Sequence, residues 1–295
     1  VLTDADVPGV WAGLGLAGIL DMHVHFLPEP VMRKVWAFFD DAGEHYGMAW
    51  PITYRLPSQD RLERLRLLGV RRFPSLVYPH KAGMAAWLND WSLEFAREVP
   101  AVWPTFTFFP EPDAPDYVAD ALARGAQIAK VHVQVGGFDP RDPQLDDVWG
   151  MCADAAVPVV THCGDGPVPG PWTGVGPMSD VLARHPSLTL VVAHLGMPRY
   201  GDFLDLAERY ERVHLDTTMA FTDFVESGSP FPAADRSRLR ALQERICFGS
   251  DFPNIPHTFA HQVEALMRLE MGDDWMRDVL WHNAARMLPA QVSWG

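Results

Sequence analysis

Two histidines one residue apart, His23 and His25 in the run Asp21-Met22-His23-Val24-His25, have the spacing of a chelating pair on a β-strand, where alternate side chains face the same side. Spacing alone is thin support: with 12 histidines in 295 residues, about half of one such pair is expected by chance. Position strengthens it. His162 closes the apolar run Pro158–Thr161 just before Cys163-Gly164, and His194 closes Val191–Ala193 just before Leu195-Gly196. Asp251 ends Ile246–Ser250, and the Phe-Pro pair behind it blocks continuation as helix. A lone histidine at a strand end is usually a hydrogen-bonded core or surface group. Five such groups at strand ends instead form a candidate site. Nitrogen donors with one carboxylate and no thiolate suit Zn²⁺ or another borderline divalent ion, and three or four ligands with one open position make a catalytic centre.

The elements that must position these groups alternate along the chain. Eight strands are expected at Gly18–His25, Val70–Tyr78, Val102–Phe109, Ile128–Val135, Val157–Cys163, Leu188–His194, Val213–Thr217 and Ile246–Asp251. Helical spacing predicts Glu29–Asp40, Ser58–Leu68, Met84–Glu98, Pro115–Arg124, Pro143–Ala155, Met178–Arg184, Phe203–Glu208, Ala234–Glu244, His257–Met271 and Asp273–Met287 between and after them. Ser58 is expected as an N-cap, and Gly69 and Gly125 as left-handed C-terminal stops. IAKVHVQV and LTLVVAHL are nearly continuous apolar runs, as in parallel strands covered on both faces. Eight βα units without a linker predict a single-domain α/β protein over residues 1–295, a (β/α)8 TIM barrel, whose reactive side chains project from the C-terminal strand ends. An open doubly wound sheet is the competing architecture, weakened by the lack of G-x-G-x-x-G or a P-loop after any strand.

The chain carries 24 basic and 38 acidic residues, a formal charge of −14, which disfavours nucleic acid and anionic membrane surfaces as partners. Apolar runs of about ten residues fall short of the ~20 that cross a bilayer, and no basic segment precedes an apolar one at the start. Three cysteines without C-x-x-C spacing fit neither a disulfide framework nor a thiolate zinc site, so a cytoplasmic location is expected. A small-molecule substrate is the expected partner, and a homodimer is left open.

The ordered motifs DMHVHF, AKVHV, VVTHCG, VVAHLGMP and FGSDFP, spanning nearly the whole chain, resemble the amidohydrolase superfamily. The resemblance is to the amidohydrolase-related branch, which includes aminocarboxymuconate-semialdehyde decarboxylase and 2-pyrone-4,6-dicarboxylate lactonase. It implies that His23, His25, His162 and Asp251 ligate one divalent metal, Zn²⁺ or alternatively Mn²⁺, and that His194 is a catalytic histidine rather than a ligand. Some superfamily members carboxylate a fourth-strand lysine. Here the strand is expected to run on through His132 and Gln134, which sets Lys130 below the rim as a buried lysine paired with a carboxylate, with His132 beside it behind the ligands.

Around this centre, Asp216 at the end of HLDTT is expected to orient a histidine, contact substrate or cap a turn. Arg199 is a candidate clamp for a substrate carboxylate, ahead of Arg55 and Arg141. Trp50 and Trp172 are candidate pocket walls, and His257 a candidate substrate contact. His261, His45, His80, His185, His214 and His282 read as structural or solvated. Such a site fits a metal-dependent hydrolase of a small lactone, cyclic amide or related C–O or C–N bond. In that reading Asp251 moves the proton and His194 steadies the oxyanion. The alternative is a metal-dependent non-oxidative decarboxylase of a small aromatic or enoic acid, favoured by loss of activity without loss of metal in Arg199→Ala. The loop LGMPRY after His194, closer to the lactonase pattern, ranks hydrolysis first. A silent metal-binding barrel would have no use for proton-transfer groups beside its ligands.

Overall fold

A computed structural model describes residues 1–290. Its strands are β1 (Ile19–Leu20), β2 (Val70–Pro74), β3 (Val102–Trp103), β4 (Thr105–Thr107), β5 (Ile128–His132), β6 (Val159–His162), β7 (Leu190–Val192), β8 (Val213–Asp216) and β9 (Ile246–Cys247). Every neighbouring pair is parallel, in the orders β1-β2-β3 and β4 through β9. The expected third strand, Val102–Phe109, is thus two pieces. Pro104 has no N–H to give the ladder, so β3 pairs back to β2 and β4 forward to β5, and together they make one of eight staves. The ring closes where Met22 N donates to Phe248 O at 2.8 Å and His25 N to Phe252 O at 2.7 Å, around a parallel bridge between Val24 and Phe252. The result is the expected (β/α)8 barrel.

Helices follow the staves as the apolar spacing predicts, among them Ser58–Leu68, Ala85–Glu98, Val175–Arg184 and Phe259–Met267. Their buried faces and the outward faces of the strands form one large apolar layer. Ser58 is not the cap it was expected to be. Pro57, extended at ψ 153°, occupies that position and Ser58 is the first helical residue, without a capping bond. Gly69 and Gly125 take left-handed φ of 82° and 88°, as their places require.

Inside the barrel, Ile128, Val160, Val191 and Cys247 belong to a fully buried apolar floor with Leu20 and Trp103. Two residues further along the same staves come Lys130 and then His132 on β5, and His162 on β6. Alternation therefore converts an apolar floor into a polar rim at the C-terminal strand ends. No helix among the described residues is long and apolar enough to cross a membrane.

Candidate metal centre

The backbone after β1 is fastened on both sides. Asp21 N donates to Arg72 O at 3.0 Å, Leu76 N to Val24 O at 2.9 Å, and Asp251 N to His23 O at 2.8 Å. This holds His23 and His25 facing the end of β9. Each ring is fixed further by its Nδ1. His23 Nδ1 donates to Asp216 Oδ2 at 2.8 Å, and His25 Nδ1 to the Leu76 carbonyl at 2.7 Å. Since both acceptors are oxygens that bring no proton, the proton of each neutral imidazole sits on Nδ1 and the Nε2 lone pairs are left bare. Those two Nε2 atoms lie 3.7 and 3.1 Å from Asp251 Oδ1.

His23, His25 and Asp251 thus offer two nitrogens and one oxygen all within 4.8 Å of one another, a donor set that fits a divalent ion. Burial pushes His23 down to about 4, outweighing the opposing pull of Asp216 and Asp251, so it is neutral, as a ligand must be. Burial pushes the Asp251 carboxyl up, but the close approach of His25 and the neighbouring His23 and His194 more than offset it, and it stays ionised. Asp251 and His194 both adopt left-handed backbone, φ 66° and 57°, conformations that non-glycine residues hold only where surrounding structure imposes them.

The other expected residues gather around this group in different ways. His162 is not one of the three groups within 4.8 Å. Its Nε2 donates to the Gly166 carbonyl at 2.9 Å, its ring stacks on His132 at 4.0 Å between centroids, and it meets the His194 ring at 4.6 Å. His194 packs against His23 at 5.1 Å and its Nδ1 faces the Thr218 carbonyl at 3.2 Å, so its bare nitrogen is also Nε2. Burial holds His194 down at about 4. Asp216 is fully buried: besides His23 it accepts from His194 N at 2.9 Å and Thr218 N at 3.1 Å. It stands behind His23 instead of facing substrate.

Lys130 lies below the rim as expected, its backbone paired with Val160 two positions before the strand end at His132, and it is fully buried. Its side chain reaches up to His23, with Nζ 3.3 Å from Nε2, and among the described residues it makes no ion pair with a carboxylate, contrary to expectation. Burial lowers it to about 8. Arg199 is 53% exposed and held by Asp202 at 2.5 Å, with Asp165 at 3.8 Å. The Trp172 ring lies under Arg141 at 5.7 Å and does not line the cavity described next. His257 contacts His261 at 5.4 Å and Thr258 O at 3.0 Å, and its Nε2 is buried without a partner among the described residues.

Beside the centre lies a cavity of about 350 Å³, lined by Tyr46, Met48, Trp50, Met197, Phe224 and Val225, with Asp165 and Gly166 among the remaining wall. Gly166 supplies the carbonyl that His162 holds, and Met197 N bonds back to His194 O at 3.0 Å, so the cavity adjoins both histidines.

Four residues with structural roles here escaped the sequence reading. Asp21, pushed up to about 8 by burial, joins the two ends of the ring by accepting from His23 N and Ser250 N. Tyr78 sets its ring edge-on to His25 at 5.5 Å, and its place at the end of the second expected strand was the available signal. Gly249 leaves room for His23: a Cβ there would come within 2.2 Å of Thr218 Oγ1 and 2.9 Å of His23 Cβ. Asn254 accepts from Trp36 Nε1 through its side chain at 3.0 Å and from Trp50 Nε1 through its carbonyl at 2.7 Å.

A sequence model of the family described as Amidohydrolase matches residues 20–290. No curated protein matches the chain. Among solved structures, an uncharacterised TIM-barrel protein from Bordetella bronchiseptica superposes with a TM-score of 0.70 at 19% identity, over 92% of this chain and 99% of that one. 5-Carboxyvanillate decarboxylase from Novosphingobium aromaticivorans, complexed with manganese and 4-hydroxy-3-methoxy-5-nitrobenzoic acid, gives 0.62 at 15% over 92% and 97%. A probable 2-pyrone-4,6-dicarboxylic acid hydrolase from Acinetobacter baumannii gives 0.58 at 12% over 92% and 98%. At these identities the likeness is one of fold.

Proposed function

The chain belongs to the amidohydrolase family, and from that premise we propose that it is a metal-dependent hydrolase opening a small lactone, cyclic amide or related C–O or C–N bond. One observation carries this reading. The Nδ1 atoms of His23 and His25 are engaged by oxygen acceptors, which turns both Nε2 lone pairs toward Asp251 at the mouth of the barrel. His162, whose Nε2 is taken by Gly166 and which lies outside the three groups within 4.8 Å, would have to move to offer Nδ1 as a fourth donor. This nitrogen-rich set with one carboxylate suits Zn²⁺, with Mn²⁺ second. When bound, the metal would lower the pKa of a coordinated water from 15.7 toward about 7 and polarise a carbonyl.

The chain's own groups handle the protons. Asp251, held ionised, accepts one proton of the attacking water at a carboxylate oxygen and returns it to the departing oxygen or nitrogen. His194 has its proton on Nδ1 at Thr218, so it presents an acceptor at Nε2 and orients that water. Steadying an oxyanion would require a proton on Nε2, and burial opposes the doubly protonated ring. Asp216 keeps His23 in register and Lys130 sits against the same ring. The three cysteines are free and buried, which suits a reducing cytoplasm.

The test is elemental analysis of wild type and His25→Ala, followed by a substrate screen that reads ring-opened acid and CO₂ separately. About one metal per chain, lost in the variant, together with ring-opened acid, supports the proposal. A metal-free active protein overturns the metal-assisted route, and release of CO₂ replaces hydrolysis with decarboxylation.

A further inference from the structure

We infer that the cavity beside the metal centre selects uncharged ring compounds, a neutral lactone or cyclic amide on an apolar or aromatic skeleton, and rejects ring carboxylates. This deepens the hydrolytic reading and rests on it for the reacting bond. Among the described residues no lysine, arginine or histidine lines the cavity, and Asp165 is the only charged residue that does. Its Oδ1 accepts from Thr173 Oγ1 at 2.6 Å and its side chain is 20% exposed, so an anion entering the cavity meets a carboxylate.

The cation placed to reverse that sign is Arg199, which the sequence offered as a carboxylate clamp. It is already held by Asp202 through Nε at 2.6 Å and Nη2 at 2.5 Å, its Nη1 lies 3.8 Å from Asp165, and it does not line the cavity. Lys130 is fully buried against His23 at the reacting end and brings no cation to the wall. The apolar surface is also fixed in advance. Trp50 is anchored by its bond to the Asn254 carbonyl and braced by Phe224 at 5.0 Å, Phe39 at 5.3 Å and Tyr46 at 6.1 Å. A rigid indole wall offers contact area at little entropic cost, and about 350 Å³ is the small end of ligand cavities, enough for one or two rings.

The experiment is calorimetric titration of metal-free and metal-loaded protein with 3,4-dihydro-2-quinolinone, a neutral cyclic amide, and with 2-quinolinone-4-carboxylate. The neutral probe is expected to bind at least about tenfold more tightly to wild type, since like charges brought together inside a site are heavily penalised. Trp50→Ala should weaken it about tenfold with metal content unchanged, and Trp50→Phe should recover most of the loss. Asp165→Asn should narrow the gap between the probes.

A carboxylate that binds as well as the neutral probe, or better and through Arg199, overturns the inference, as does failure of both to bind. The two readings fail separately. If the neutral probe binds as described but no neutral lactone is opened, hydrolysis is wrong and the cavity's selectivity stands. If carboxylated lactones are the ones opened, the selectivity is wrong and hydrolysis stands.

Discussion

Replacing Asp216 with asparagine removes one charge from behind His23 and little else. The Asn Oδ1 can still accept from His194 N and Thr218 N, which lie 2.9 and 3.1 Å from Asp216 Oδ1, so the turn after β8 keeps its anchors. What disappears is the charge-assisted bond from His23 Nδ1 to Oδ2 at 2.8 Å. A hydrogen bond to a charged group contributes roughly 1.5–3 kcal/mol, and at about 1.4 kcal/mol per factor of ten this corresponds to a metal affinity weakened roughly 10- to 100-fold. The asparagine NH₂ would also face the His23 N–H, favouring the tautomer that turns a proton toward the metal position.

Competition with a chromophoric chelator for Zn²⁺ measures the affinity, and thermal unfolding of the metal-free variant checks that the barrel is intact. Asp165→Asn, on the cavity wall, serves as a control with unchanged affinity. A folded Asp216→Asn protein that binds Zn²⁺ as tightly as wild type would refute the role of Asp216 and the orientation argued for His23.

Gly249→Ala is expected to lower both metal affinity and Tm, because its Cβ would enter the space of Thr218 Oγ1 and His23 Cβ. Overpacking of this kind costs about 1–3 kcal/mol, roughly 2 °C of Tm for each, readable by calorimetry. Asn254→Ala leaves Trp36 Nε1 without its acceptor while the backbone carbonyl still holds Trp50. Urea unfolding should show a loss of about 1–3 kcal/mol with metal content unchanged. His214 is pushed down to about 4 by burial and by Arg245 and Arg212, against 6.5 for the unfolded chain. The unfolded state therefore takes up the proton first, and stability is lost as pH falls from 6.5 toward 4, by up to roughly 3 kcal/mol. Urea unfolding of His214→Leu across that window should show a flatter pH dependence.

The parts of this protein legible in its sequence are those that depend on local alternation. The apolar runs before His162, His194 and Asp251 end in Gly or Phe-Pro, and such punctuation marks a strand end whatever the rest of the chain does. Where a boundary depends on a distant partner, it was misplaced. β5 was expected to reach Val135 and stops at His132, whose ring is stacked on His162 while the chain turns through Val133–Gly136. Lys130 lies two positions before that end, below the rim, and its side chain reaches up to His23. The cavity escaped for another reason. Its walls come from Ala42–Tyr46, the turn around Gly166 and Asp223–Glu226, segments too short to show any period, so only Trp50 was singled out.

The same division explains what the centre can do. Histidines at strand ends are readable as a constellation, but the nitrogen each presents is decided by its other neighbour: Asp216, 193 residues from His23; Leu76, 51 residues from His25; Thr218, 24 residues from His194. These partners assign the roles. Because Leu76 and Thr218 contribute backbone carbonyls, no side-chain substitution there can reverse the tautomers of His25 or His194. Asp216 alone works through a replaceable group. The chemistry of the centre should therefore be most sensitive, among residues that do not themselves touch the metal position, to the fully buried carboxylate that holds His23 Nδ1.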